Sequence, residues 1–288
     1  MKKYVIIPIL FITIILTTGC IKRDTMEGIN VYTSVYPIEF ITERLYGENA
    51  TINSIYPNGI NIKKYKLTNK QIKDYSESDL FIYNGLSEEK NYAIEMLNNN
   101  SNLKIIDSAA NLEVENSVDE LWLDPSNFLM LSQNTKNGLN EYITNPYLKK
   151  EINENYEDLK IEVSKIDAEL KLMAENSEDK TLVFADDTFN FLKKYDFTII
   201  SLAENDNLNA KTINDVVTMI QRGKIKYIFT KQYEKESNTI KQIKALTNVE
   251  VVPLNTAANL TDAERTEKKD YLQIMNENVE LLRKEAYK

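Results

Sequence analysis

The side chains able to do chemistry in this chain are one thiol near the N-terminus and a few polar groups just past apolar runs. Lys63 follows the run ending near Tyr56, through Pro57-Asn58-Gly59. Asp186 and Asp187 follow Thr181–Ala185, Asn255 follows Val249–Leu254, and Glu120 stands just before Leu121-Trp122-Leu123-Asp124-Pro125. Carboxylate and amide oxygens are ligands for hard cations, and two carboxylates can act as acid and base. Adjacent residues after a strand point apart, however, and no nucleophile motif is present. Seven glycines in 288 residues leave little room for a phosphate-cradling loop. Histidine is absent altogether, which excludes Ser-His-Asp and Cys-His chemistry and any imidazole-held metal. An Asp or Asn in such a place also serves as a turn-maker or helix cap. Thr188-Phe189 behind Asp187 suits that residue as a cap. No enzyme activity is expected, and a net charge of −9 argues against nucleic acid as a partner.

The single cysteine, Cys20, excludes an intramolecular disulfide. Lys2 and Lys3 precede the apolar stretch Tyr4–Leu16, which is shorter than the ~20 residues of a membrane-spanning helix. Leu16-Thr17-Thr18-Gly19-Cys20 then reads as a bacterial lipobox, with Leu16 one place earlier than the commonest pattern. Residues 1–19 are expected to be a lipoprotein signal peptide. Residues 20–28 are expected to be a tether whose Cys20 thiol carries the lipid. That places the protein on the outer face of the cytoplasmic membrane, at a bacterial cell surface or in a periplasm. Without Lys2 and Lys3, 33 basic side chains face 44 acidic ones.

These groups need elements to position them. Strand-length apolar runs recur at Ile29–Val35, Ala50–Tyr56, Ser78–Tyr83 and Leu103–Asp107, then at Thr181–Ala185, Phe197–Leu202, Lys226–Thr230 and Val249–Leu254. Helical patterns fall between them, so βαβ units and mostly parallel sheets are expected. Ile152, Tyr156, Leu159, Val163, Ile166, Leu170 and Met173 alternate in steps of four and three. That spacing puts one apolar stripe on a continuous helix over Tyr147–Ala174. A closing helix is expected around Asp270–Ala286. The fold class is α/β: an N-terminal lobe at 29–146, a linking helix at 147–176 and a C-terminal lobe at 177–288. Each lobe is a mostly parallel sheet flanked by helices. Ligands of open α/β sheets bind beyond the carboxyl ends of the strands, so the solute is expected between the lobes of a monomer.

Several ordered motifs resemble one family, the cluster A-I solute-binding lipoproteins of manganese and zinc ABC transporters, also called metal-binding adhesins. Ser34-Val35-Tyr36-Pro37 is similar to their opening motif T-S-F-Y-P. Asp79-Leu80-Phe81-Ile82-Tyr83-Asn84-Gly85-Leu86 is close to A-D-L-F-I-Y-N-G-L, and Leu121-Trp122-Leu123-Asp124-Pro125 resembles the family's W-L-D-P. Lys226-Tyr227-Ile228-Phe229 and Asp270-Tyr271-Leu272 also match in place. The resemblance covers Ile29 to the C-terminus and implies two lobes on one rigid helix, with an ABC permease as partner.

The departure from the family lies in the ligands. Gly59-Ile60-Asn61-Ile62-Lys63-Lys64-Tyr65-Lys66 stands where the family has G-[IV]-D-P-H-x-[YF]-E, so the first ligand has become Lys63. The resemblance aligns the second with Glu120, the third with Asp186 and the fourth with Asn255. The His-rich acidic loop of zinc members is missing. An ammonium has no lone pair for a metal. The resemblance therefore implies a ligand cleft of Lys63, Glu120, Asp186 and Asn255 with no metal or other cofactor. In it Lys63 would take the cation's place beside Glu120 and Asp186. The alternatives are a divalent cation, Mn2+ or Ca2+, held for import by Glu120, Asp186, Asp187 and Asn255, or a surface adhesion or structural lipoprotein.

Overall fold

The computed structural model describes residues 26–205 and 208–288. The expected signal peptide and Cys20 lie outside the described residues. Four strands, β1 (Ile29–Thr33), β2 (Ala50–Ser54), β3 (Leu80–Tyr83) and β4 (Lys104–Asp107), form a parallel sheet in the order β2-β1-β3-β4. A second parallel sheet repeats that order as β6-β5-β7-β8. Its strands are β5 (Thr181–Phe184), β6 (Thr198–Ser201), β7 (Tyr227–Lys231) and β8 (Glu250–Leu254). Helices cover both sheets, so β3 is buried at all four positions, as expected of a strand packed on both faces.

The order of strands fixes where a ligand can go. In each sheet the chain starts in the middle and winds outward both ways. A crevice is left beyond the carboxyl ends of β1 and β3, and of β5 and β7. Val35, Asn84 and Asp186 follow the ends of β1, β3 and β5, and Lys231 is the last residue of β7.

The helices are α1 (Tyr36–Tyr46), α2 (Asn69–Ser76), α3 (Glu89–Asn99), α4 (Glu120–Leu123), α5 (Pro125–Tyr142), α6 (Pro146–Asn176), α7 (Ala210–Gln221), α8 (Asn238–Leu246), α9 (Asp262–Thr266) and α10 (Tyr271–Ala286). The 31 residues of α6 span about 46 Å at 1.5 Å per residue. All seven residues of its expected apolar stripe are buried, and α6 packs against α1, α5 and α10. Asn145 caps its start by accepting from the Tyr147 N–H. One hydrophobic core runs from the first lobe through α6 into the second. At its centre Phe128 stacks on Tyr271 with ring centroids 4.0 Å apart.

Two stretches differ from expectation. The segment over Pro125–Tyr142, assigned no element from sequence, is a helix that buries Phe128, Leu131, Ser132, Thr135 and Leu139. Ser132 and Thr135 lie on its buried face and bond back to the carbonyls of Phe128 and Leu131, so the face contains hydroxyls and is not wholly apolar. After β5 the chain forms a 3-10 segment over Asp187–Tyr195. Asp186, rather than Asp187, caps it, by accepting from the Thr188 N–H at 2.8 Å.

Candidate functional site

A cavity of about 350 Å3 opens between the lobes, walled by β-strand ends and by the segment 59–66 on one side and 231–234 and 255–261 on the other. Gly59 has φ +69°, a left-handed turn that a Cβ would strain. Its N–H donates to the Leu260 carbonyl at 2.8 Å, tying the segment to the opposite lobe. Trp122 forms part of the floor and donates its indole N–H to the Thr256 carbonyl at 2.7 Å.

The four expected cleft residues do not converge. Lys63 and Asn255 line the cavity, whereas Glu120 and Asp186 are not part of its lining. Instead of meeting Glu120 and Asp186, the Lys63 ammonium pairs with Asp119 at 3.1 Å, its own side chain 59% exposed and that of Asp119 buried. Glu120 spends both oxygens on Asn116, one on the side-chain amide at 2.8 Å and one on the backbone N–H at 3.3 Å. Asp186 accepts from Lys231 at 2.8 Å, and Lys231 also reaches Glu234 at 3.2 Å. Burial pushes the Asp186 carboxyl up, but Lys231 and Thr188 outweigh it and leave it below the ordinary carboxylate range. Burial likewise opposes the Lys231 charge, and Asp186 and Glu234 together hold its pKa above the usual value. The Asn255 side chain accepts from the Ala257 N–H at 2.8 Å and donates to Glu264 at 2.9 Å. Asp187 accepts from the amides of Asn190 and Asn205.

This donor set does not fit a divalent ion. An ammonium supplies no lone pair, Asp186 already carries a cation, and Glu120 and Asn255 are committed to amides and backbone. Among the described residues no group of three or more Asp, Glu, His or Cys lies close enough to share a metal ion.

Among the cavity residues not nominated from sequence are Asn84, Lys231 and Glu89. Asn84 follows β3 and Lys231 ends β7, so the strand-end rule that picked Asp186 and Asn255 also reaches them. The third, Glu89, opens α3, and nothing in its spacing singles it out. Gly85 fixes this corner: a Cβ there would lie 1.9 Å from an Asp107 carboxylate oxygen, and its N–H donates to that carboxylate at 2.9 Å. Asn84 and Glu89, on either side of this turn, both line the cavity. Asn84, 1% exposed, accepts from the Leu86 N–H, which leaves its side-chain NH2 with no partner. Glu89, 2% exposed, accepts from the Tyr56 hydroxyl at 2.9 Å on one oxygen, and its other oxygen has no partner. Burial pushes its pKa up to about 7, against the lowering effect of the Tyr56 bond. An unsatisfied buried polar group costs about 1–3 kcal/mol, so this corner carries a standing demand for a partner.

Residues 31–285 match the family model described as zinc-uptake complex component A, periplasmic, ZnuA. The manganese ABC transporter substrate-binding lipoprotein PsaA of Streptococcus anginosus is 26% identical over 213 residues, 67% of this chain and 69% of that protein. The metal ABC transporter substrate-binding lipoprotein SloC of Streptococcus mutans is 22% identical over 241 residues, 77% and 78% of the two chains. The zinc-bound ZnuA-like domain of AdcA from Streptococcus pneumoniae superposes with a TM-score of 0.73 at 18% identity, over 91% of this chain and all of that one. By sequence, fold and the two-lobed cleft, the chain belongs to the ZnuA family of extracytoplasmic, membrane-associated solute-binding proteins of metal ABC transporters.

Proposed function

We propose that this protein is a lipid-anchored solute receptor for an ABC permease, built on the metal-binding fold, whose cleft takes a solute other than Zn2+ or Mn2+. Residues 1–19 act as its signal peptide, Cys20 carries the lipid, and lobes 29–146 and 177–288 meet across the helix 147–176. No bond is made or broken in the cleft, so the protein is not an enzyme. The observation that carries this reading is the Lys231–Asp186 pair at 2.8 Å. The carboxylate aligned with a metal ligand already holds a cation of the protein's own, and Lys63 adds a second ammonium to the cavity wall. A divalent ion would have to displace the Lys231 ammonium from Asp186 to use that carboxylate, and neither ammonium offers it a lone pair.

The test is calorimetric titration of the untagged chain, starting after Cys20, with Zn2+ and Mn2+. No binding is expected at micromolar concentration. Tight one-to-one uptake of either ion defeats the proposal.

A further inference from the structure

The cavity lining holds three lysines and four carboxylates. Lys63 pairs with Asp119, Lys66 with Glu88, and Lys231 with Glu234. Glu89 is left over: among the described residues no cation lies within salt-bridge distance of it, and its second oxygen has no hydrogen-bond partner. Asn84, on the same side of the cavity, has an unpartnered NH2. The wall therefore has one carboxylate in excess, one unmet acceptor and one unmet donor. Tyr56, Tyr65, Ile60 and Val35 supply flat and apolar surface around them.

We propose that this corner is the recognition site for a small organic monocation bearing a primary ammonium group. The ammonium would donate to the free Glu89 oxygen, and a carbonyl or hydroxyl oxygen of the same molecule would accept from the Asn84 side chain. This rests on the reading of the cleft as one that takes a solute other than a metal. The chemistry follows from the lining. A carboxylate already bound to a tyrosine hydroxyl favours a partner that brings both charge and N–H. A cavity of about 350 Å3 with apolar walls is larger than a bare ion requires and suits an organic body. Asn84 keeps its orientation because the Leu86 N–H needs the amide oxygen, so its NH2 is the group offered to the ligand.

The experiment titrates the untagged chain, at pH 8, with L-lysine, L-arginine, ethanolamine and butylamine. 1-Butanol serves as the control that lacks any ammonium group, and tetramethylammonium as the cation without N–H. At least one of the first four is expected to bind with a dissociation constant below the millimolar range, and both controls are expected to fail. Glu89→Gln keeps an oxygen for Tyr56 and loses the charge, so it should fold, shown by its melting curve, and weaken binding about tenfold to a hundredfold. Asn84→Leu should weaken the oxygen-bearing probes more than butylamine. The idea is overturned if all four amines fail at millimolar concentration, if tetramethylammonium binds as well as they do, or if Glu89→Gln binds as the wild type does. Zn2+ and Mn2+ are run in parallel. Metal uptake would remove the reading beneath this inference, whereas silence toward both metals and amines removes the inference alone.

Discussion

Glu89 gives this cleft a pH signature that its surroundings dictate. Burial raises its pKa from 4.5 to about 7, against the Tyr56 hydroxyl and Lys66 that lower it, while Glu88 adds to the rise. A carboxyl whose folded pKa lies above its unfolded value binds the proton more tightly when folded. Its contribution is fully present below pH 4.5 and is lost as pH rises through about 7. Relative to Glu89→Gln, the wild type should therefore lose roughly 3 kcal/mol of stability between pH 4.5 and pH 8. Urea unfolding of both proteins across that range checks this, and parallel curves would show that Glu89 titrates as a free carboxyl does. Two of the cleft lysines, Lys63 and Lys231, should behave differently from one another. Lys63 is 59% exposed on its pair with Asp119, so Lys63→Ala should cost no more than about 1 kcal/mol. Lys231 is 12% exposed between Asp186 and Glu234. Lys231→Met should cost about 1–3 kcal/mol at neutral pH, since two carboxylates lose their counter-charge, and the deficit should shrink as pH falls into the acid range where Asp186 protonates. Equal melting temperatures for the two variants would contradict this ranking. From sequence, the chemistry aligned with the metal ligands could be named, but not its pairing. Whether Lys63 meets Glu120 or Asp119 depends on a loop path that no local periodicity encodes.

At the scale of elements, legibility followed the strength of the repeating pattern. The stripe on α6 runs through seven residues at four-three spacing, and the helix extends only a residue or two beyond the expected span. Alternating strands and helices made two parallel sheets readable, because a parallel strand needs a crossover. The helix α5 was hidden because its buried face includes Ser132 and Thr135 among apolar residues, which blurs a 3.6-residue period. The corner Asn84-Gly85-Leu86 was visible as a motif, but its steric reason was not. That reason is testable. An alanine Cβ at Gly85 would sit 1.9 Å from the Asp107 carboxylate that clasps the turn. Gly85→Ala must push that carboxylate away or rotate the turn, at a cost of about 1–3 kcal/mol. It should also weaken whatever the cleft binds through Asn84 and Glu89. A variant that melts with the wild type would mean that Asp107 moves aside freely.

For the whole molecule the question is whether the lobes open. In the described residues they are laced by more than the linking helix. Arg265 of α9 forms two parallel bonds to Glu39 of α1, at 2.7 and 2.8 Å, and also donates to Asn58. The Tyr36 N–H donates to the Ala258 carbonyl, and Tyr271 bonds to the Trp122 carbonyl. Residues Leu148 to Lys180 contain neither Gly nor Pro to soften α6, and the core is continuous from lobe to lobe. Hinge motion would have to break these bonds and expose that core together, so solute should enter through loop and side-chain movement. Arg265→Met separates the two contributions. Glu39, 4% exposed, would lose the Arg265 guanidinium that pairs with it, which should cost about 2–4 kcal/mol, tempered by the partial exposure of Arg265. The shared core and α6 would remain. The variant should melt earlier, yet give the same radius of gyration by X-ray scattering as the wild type, with or without an amine probe. An increase of several ångströms in Arg265→Met would mean that the clamp, rather than the core and helix, holds the lobes together. The same change in the wild type on adding solute would mean that the cleft closes by a hinge.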